Sequence, residues 1–118
     1  AFKWIEFMNT VPADVPVYLL GGPDDFMACE QINQKYTGKN TINLAGKLHF
    51  LESAALMKDA LMNYVNDSAP MHIASSVNTP VSAVYCSTVP QFGFGPLSDK
   101  SIVVETDKTL DCRPCGLH

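Results

Sequence analysis

The sequence has 118 residues, of which 47% are hydrophobic and 17% charged, a size and composition that fit one folded domain rather than a disordered chain or two ordinary domains. The formal net charge of −4 argues against sequence-independent binding of nucleic acid, which requires a basic face, so we expect no nucleic-acid partner. No apolar run approaches the ~20 residues of a membrane-spanning helix.

Strand and helix patterns alternate along the chain. The opening FKWIEFM has helical character without a preceding cap residue. Pro23, Asp24 and Asp25 are typical of a helix start, where acids favour the positive end of the helix. Apolar runs and helical spacing predict, in chain order, strand 15–22, helix 23–36, strand 40–46, helix 49–60, strand 61–65, helix 68–77, strand 79–86, loop 87–100 and strand 101–106.

This alternation predicts an α/β fold. Short connections between strands and helices imply βαβ units, hence a Rossmann-like parallel sheet of about five strands with helices on both faces. Ligands of such sheets bind at the carboxyl ends of the strands. The rule selects four polar or glycine-rich loops, which we expect along one edge: 21–25, 46–49, 66–69 and 87–90.

The loop after the third strand carries the densest set of polar groups. Asp67 or Ser68 can cap the next helix, and the first free N–H groups of that helix form an anion site. His72, on the first helical turn, is close enough to add a donor. The local pattern by itself favours a plainer interpretation, a simple cap beside a solvated histidine.

Two other loops offer weaker patterns. Gly21-Gly22 lacks the G-x-G-x-x-G spacing of a nicotinamide site, so it reads as a tight turn. Asp24 or Asp25 could accept hydrogen bonds from a ribose, or could serve only at the helix start. Lys47 could neutralise a phosphate, or could be an ordinary surface lysine.

The four cysteines fall into two groups. Cys29 and Cys86 lie in apolar segments and read as small core residues. Cys112, Cys115 and His118 form a C-x-x-C-x-x-H arrangement that suits a zinc corner or a redox pair, although no fourth ligand is visible. Reduced thiols are the alternative.

A longer pattern resembles a known family. It runs through L-A-G-K, an amphipathic helix, N-D-S-x-x-M-H, T-P, an apolar strand and S-T-x-P, over roughly Val15 to Leu97. This order resembles the carboxyl-terminal half of the ADP-heptose:lipopolysaccharide heptosyltransferases, glycosyltransferase family nine. The terminal CRPCGLH is also similar to a segment of some members.

The resemblance implies one half of a GT-B glycosyltransferase, in which two Rossmann-like domains face each other across a cleft. Residues 1–118 would be the carboxyl-terminal nucleotide-sugar-binding domain, and because both ends look cut we expect a fragment without the amino-terminal acceptor domain. The parent would transfer a heptose-like sugar from an ADP-sugar to a lipopolysaccharide core or lipid acceptor, without cofactor or metal. The fragment would be inactive alone, since the catalytic base lies in the missing domain.

The resemblance also implies locations and residue roles. The parent would be a bacterial cytoplasmic enzyme at the inner face of the inner membrane, with peripheral membrane contact. The 67–69 turn (Asp67, Ser68 and Ala69) and His72 would grip the donor diphosphate and the transferred sugar. Asp24 would face the ribose, and Lys47 and Leu48 would lie beside the adenine.

Two residues depart from the family pattern. Ala69 stands where glycine is usual, and its methyl group limits how closely a phosphate approaches the backbone. Cys86 ends a strand where glycine is frequent, which would reshape the Ser87-Thr88 loop. The alternative function is therefore a non-catalytic Rossmann-like nucleotide-binding or interaction module.

Overall fold

Helices and strands alternate along the chain in the predicted order. The structure is a computed structural model that describes residues 2–36, 40–86, 88–92, 95–109, 111 and 113. The chain divides into an amino-terminal unit (Ala1–His49) and a carboxyl-terminal unit (Phe50–His118), each built from parallel strands and helices.

The amino-terminal unit contains a two-stranded parallel sheet. Its strands pair in register from Val17 opposite Thr41 to Leu19 opposite Asn43. A short 3-10 helix, Pro23–Asp25, leads from the first strand into the following α-helix. The elements are α1 (Phe2–Met8), β1 (Val17–Leu19), α2 (Phe26–Lys35) and β2 (Thr41–Asn43).

The carboxyl-terminal unit contains a three-stranded parallel sheet in the order β3-β4-β5. The central strand is the most buried, whereas all four residues of the last strand are exposed. A 3-10 helix, Pro90–Phe92, lies between these two strands. The elements are α3 (Phe50–Lys58), β3 (Asn63–Asn66), α4 (Ala69–Ser76), β4 (Val81–Val84) and β5 (Ser101–Val104).

A buried polar cluster joins the starts of β3 and β4 to the end of α3. The Thr79 hydroxyl donates to the Met57 carbonyl at 2.7 Å and accepts from Asn63 Nδ2 at 3.0 Å. Asn63 Nδ2 also lies 3.0 Å from the Met57 carbonyl. Because Asn63 and Thr79 are both buried, these bonds replace water and fix the amino ends of the two strands.

The predicted α/β class with parallel strands and helices is confirmed. The five strands among the described residues form one sheet of two and one of three, and all are shorter than predicted. The first is three residues instead of eight because Pro16 has no N–H to donate and Gly22 is already the N-cap of the 3-10 helix that follows. In the described part of the chain, no helix combines the length and apolar character needed to cross a bilayer.

Candidate functional site

The turn from β3 into α4 presents an uncapped helix start. Ser68 occupies the N-cap position in an extended conformation, with φ −164° and ψ −176°. Its side chain makes no capping bond, and its hydroxyl instead donates to the Asn66 carbonyl at 3.4 Å. The predicted side-chain cap from Asp67 or Ser68 is therefore wrong. At the start of α4, Pro70 has no N–H and the Met71 N–H donates to the Ser68 carbonyl at 3.0 Å, so the Ala69 N–H is the donor that no side chain of the described residues caps.

Asp67 is held by the end of the adjacent strand β4 and the loop that follows it. Its Oδ2 accepts a hydrogen bond from the Thr88 hydroxyl, and its backbone N–H donates to the Val84 carbonyl at 3.2 Å. Asp67 is half-buried, and the carboxylate that could have capped the helix is drawn toward the loop after β4. The contact therefore ties the β3 loop to the β4 loop.

Arg113 extends this contact to the end of β5. One guanidinium nitrogen, Nη2, lies 3.1 Å from the Thr88 carbonyl oxygen and 2.7 Å from Glu105 Oε2. The side chain is 10% exposed, and Arg113 is the one arginine among the 118 residues. Polar groups that follow three adjacent parallel strands thus form one connected network, Asp67–Thr88–Arg113–Glu105.

Tyr85 packs beneath the same turn. The residue is buried and its hydroxyl donates to the Met71 sulfur at 3.2 Å, linking the end of β4 to α4. Burial raises the pKa of the Tyr85 phenol above its ordinary value of 10.0, and the negative charge of Asp67 adds to the shift. The phenol therefore stays protonated at neutral pH and remains a donor.

The predicted residues of this unit come together on one turn. Ser68, Ala69 and His72 are exposed on the first turn of α4, directly after half-buried Asp67. The Ala69 N–H and an imidazole one turn later can both face an anion bound there.

The predicted residues of the amino-terminal unit lie on two loops that touch. The Gly46 N–H donates to the Gly21 carbonyl at 3.0 Å, which continues the β1–β2 pairing into the loops. Exposed Lys47 places Nζ 5.7 Å from the centroid of the Phe26 ring, a cation–π contact. Half-buried Leu48 follows it.

The two neighbouring acids at the start of α2 have different surroundings. The Asp25 carboxylate accepts from the Gly22 N–H at 2.9 Å, so this acid stabilises its own loop. Asp24 is exposed on the same 3-10 turn. The structure thus brings Asp24 and Lys47 onto joined loops in one unit, and the 67–69 turn and His72 onto a single turn in the other.

The cysteine predictions have mixed outcomes. Cys29 is a half-buried free thiol whose pKa is raised above 9.0, first by burial and then by the charge of Asp25. Cys86 is an exposed free thiol, so its prediction as a core residue is wrong. Among the described residues no three His, Cys, Asp or Glu side chains group as metal ligands would. The predicted Cys112, Cys115 and His118 arrangement lies outside them.

Sequence reasoning missed the rest of the polar network. Thr88 lies in the S-T-x-P pattern, but the pattern indicates no role for its side chain, and no motif contains Glu105 or Arg113. The rule that polar groups after parallel strands converge could have selected Thr88 and Glu105. Nothing in the spacing indicates that Arg113 folds back onto them.

Comparisons with known proteins identify the family. Residues 3–116 match the sequence profile of Glycosyltransferase family 9 (heptosyltransferase). Lipooligosaccharide heptosyltransferase 2 of Haemophilus influenzae is 37% identical over 91 residues, covering 75% of this chain and 26% of that protein. Lipopolysaccharide heptosyltransferase 3 of Escherichia coli is 42% identical over 74 residues, covering 61% of this chain and 22% of that protein. The chain thus spans about a quarter of the length of these relatives.

Solved structures agree with the sequence match. A family 9 glycosyltransferase from Veillonella parvula superposes with a TM-score of 0.71 at 27% identity, over 92% of this chain and 29% of that one. The ADP-heptose lps heptosyltransferase II of E. coli superposes with a TM-score of 0.70 at 24% identity, over 95% of this chain and 36% of that one. At this identity it supports the fold alone. Since the profile match covers nearly the whole sequence, the chain belongs to glycosyltransferase family 9, the heptosyltransferases.

Proposed function

We propose that this chain is the nucleotide-sugar-binding part of a heptosyltransferase that moves a heptose-like sugar from an ADP-sugar to a lipopolysaccharide core acceptor. The observation that carries the proposal is the uncapped start of α4 beside a tethered Asp67. Family membership and the printed names of the relatives supply the reaction class.

The 67–69 turn would bind the donor diphosphate. No side chain caps α4, Pro70 has no N–H, and the Met71 N–H donates to the Ser68 carbonyl at 3.0 Å, so the Ala69 N–H is the amide available to a phosphate oxygen. The positive end of the helix dipole favours that charge. Asp67 is directed away from this N–H by Thr88, which removes an internal competitor for it. His72, exposed one turn later, would donate to the same diphosphate or to the sugar.

The joined loops of the amino-terminal unit would bind the nucleoside. Asp24 is exposed while its neighbour Asp25 is engaged, so Asp24 is the acid that can accept from a ribose diol. Lys47 and Leu48 would lie beside the adenine. Lys47 is held over the Phe26 ring, which keeps its charge near these loops.

The transfer step needs charge stabilisation at the diphosphate. The bond between the sugar carbon and the phosphate oxygen breaks, and the electron pair leaves with ADP. The acceptor hydroxyl forms the new bond to that carbon and gives its proton to a base. We place the base and the acceptor site outside these residues, so the chain alone would bind donor without transferring sugar. Fixed amides and an imidazole would stabilise the leaving diphosphate without a metal.

Calorimetric titration with ADP and with ADP-heptose tests the proposal. We expect micromolar binding by the wild-type chain, lost on His72→Ala, which removes a donor at the diphosphate. Binding should also be lost on Asp67→Ala, which removes the contact with Thr88 that holds the 67–69 turn. Lys108→Ala, which removes an exposed charge elsewhere on the chain, is the matched control and should bind normally.

Two outcomes would count against the proposal. A folded wild-type chain that binds neither ligand would contradict donor binding and favour a non-catalytic interaction module. Binding of ADP that survives both substitutions would place the nucleotide elsewhere on the chain.

For the parent enzyme, we further propose a cytoplasmic location at the inner face of the inner membrane, with peripheral contact to the lipid acceptor.

A further inference from the structure

The buried arginine at the carboxyl edge of the β3-β4-β5 sheet has no role in the proposed binding contacts. We infer that Arg113 is a positioning residue, which sets the conformation of the 67–69 turn by holding Thr88 against Asp67. The consequence for donor binding rests on the proposed function; the positioning itself does not.

Arg113 holds two acceptors with one nitrogen. Nη2 lies 2.7 Å from Glu105 Oε2, just after β5, and 3.1 Å from the Thr88 carbonyl oxygen, after β4. Charge-assisted bonds of this kind are shorter and stronger than neutral ones, and they fix geometry as well as distance. The Glu105 carboxylate therefore anchors the guanidinium, which in turn anchors the backbone of Thr88.

The anchored residue acts on Asp67 through its side chain. With its carbonyl held, Thr88 presents its hydroxyl to Asp67 Oδ2. Without this donor, the Asp67 carboxylate is free to rotate toward the Ala69 N–H, two residues on, which an Asp can accept in an Asx turn. Arg113 would thus decide whether this N–H is satisfied internally or stays available to an anion.

The surroundings of Arg113 fit a positioning role better than general packing. Its side chain is 10% exposed, and its buried Nε has no hydrogen-bond partner among the described residues. Buried donors that serve only the fold are normally paired. Here Nη2 satisfies acceptors from two separate loops, while Nε has no partner within the described part of the chain.

Ligand-free NMR tests the positioning directly. Thr88→Val removes the hydroxyl donor to Asp67 at similar volume, and Arg113→Gln removes the guanidinium. We expect both variants to move the amide resonances of the 67–69 turn in the same direction and to slow their hydrogen exchange about tenfold, as an internal cap forms. Lys108→Ala should leave these resonances in place.

A turn that is unchanged in Arg113→Gln but shifted in Thr88→Val would overturn the inference. If Arg113→Gln does not fold, Glu105→Gln serves instead, because it keeps an acceptor for Nη2 but removes the charge that anchors the guanidinium. Glu105→Gln should shift the amide resonances of the 67–69 turn by a smaller amount. Unshifted resonances would again contradict the inference.

Titration with ADP separates this inference from the proposed function. We expect Thr88→Val and Arg113→Gln each to weaken ADP binding about tenfold, and the double variant to weaken it by no more than either one, since both act through one contact. If the two effects on ADP affinity multiply in the double variant, Thr88 and Arg113 act independently, and the inference is refuted. A wild-type chain that binds no ADP would remove the proposed function, while the NMR result would still decide the positioning.

Discussion

Gly46→Ala should strongly destabilise the amino-terminal unit. Gly46 has φ +71°, a conformation that L-residues with a side chain adopt at a cost of about 1–2 kcal/mol. A Cβ built there would lie 2.9 Å from Pro23 Cα, a backbone atom that cannot move aside cheaply. Overpacking of this kind typically costs about 1–3 kcal/mol. We therefore expect a loss of about 2–5 kcal/mol in the free energy of unfolding.

Urea unfolding followed by tryptophan fluorescence measures this loss where it should occur. The chain has a single tryptophan, Trp4, which lies in α1 of the same unit and contacts the Phe7 ring edge-on at 6.0 Å. The midpoint of its transition should fall in Gly46→Ala with little change in slope.

Gly22→Ala is the matched control. Gly22 has φ −72°, which any residue adopts, and its added Cβ would make only an ordinary 3.7 Å contact with Asp25 Oδ2. Its stability should stay unchanged or rise by up to about 1 kcal/mol, because alanine restricts the unfolded chain. Equal stability of Gly46→Ala and Gly22→Ala would refute the positive-φ and close-contact reasoning together.

Three further predictions concern separate parts of the chain. Thr79→Val should lower the free energy of unfolding by about 1–3 kcal/mol, because it removes two buried hydrogen bonds, one to the Met57 carbonyl and one from the Asn63 amide; urea unfolding by circular dichroism would show no change if this cluster were unimportant. Alkylation of Cys29, followed by mass spectrometry, should have a midpoint above pH 9.0 in the folded chain, because burial favours its protonated thiol; a midpoint no higher than in the urea-unfolded chain would contradict this. Ala69→Gly should tighten ADP binding several-fold at a cost of up to about 1 kcal/mol in stability, and unchanged or weaker calorimetric binding would show that the methyl group does not obstruct the phosphate.

The order of elements could be predicted because its signals are local. The strand predicted over 61–65 is found at Asn63–Asn66, and the helix predicted over 68–77 is found at Ala69–Ser76. Apolar runs, the break at the Asn-Asp-Ser stretch and the proline in the first helical turn all act within a few residues. Element ends shift by one to several residues because strand pairing, which is not local, decides where a strand stops.

The use made of each side chain could not be predicted in the same way. Asp67 beside Ser68 favours a side-chain cap on local grounds, yet its carboxylate is engaged by Thr88, 21 residues later. Arg113 contacts the same threonine across 25 residues. Such partners are chosen by the sheet, which places the ends of neighbouring parallel strands side by side whatever their separation along the chain.

Both units join the loops of adjacent parallel strands, but by different chemistry. In the amino-terminal unit the link is a backbone bond from Gly46 to Gly21, and Gly46 has no room for a Cβ because it would lie 2.9 Å from Pro23 Cα. In the carboxyl-terminal unit the link is a side-chain bond from Thr88 to Asp67, which requires a hydroxyl and a carboxylate. A link of the first kind uses glycines, which are visible in the sequence as G-G and in L-A-G-K. A link of the second kind uses threonine and aspartate, which are common throughout protein sequences. It can therefore be identified only when the pairing of the strands is known. A polar site of the second kind is for that reason the one that a structure adds to a sequence, and here it is also the one that controls the open start of α4.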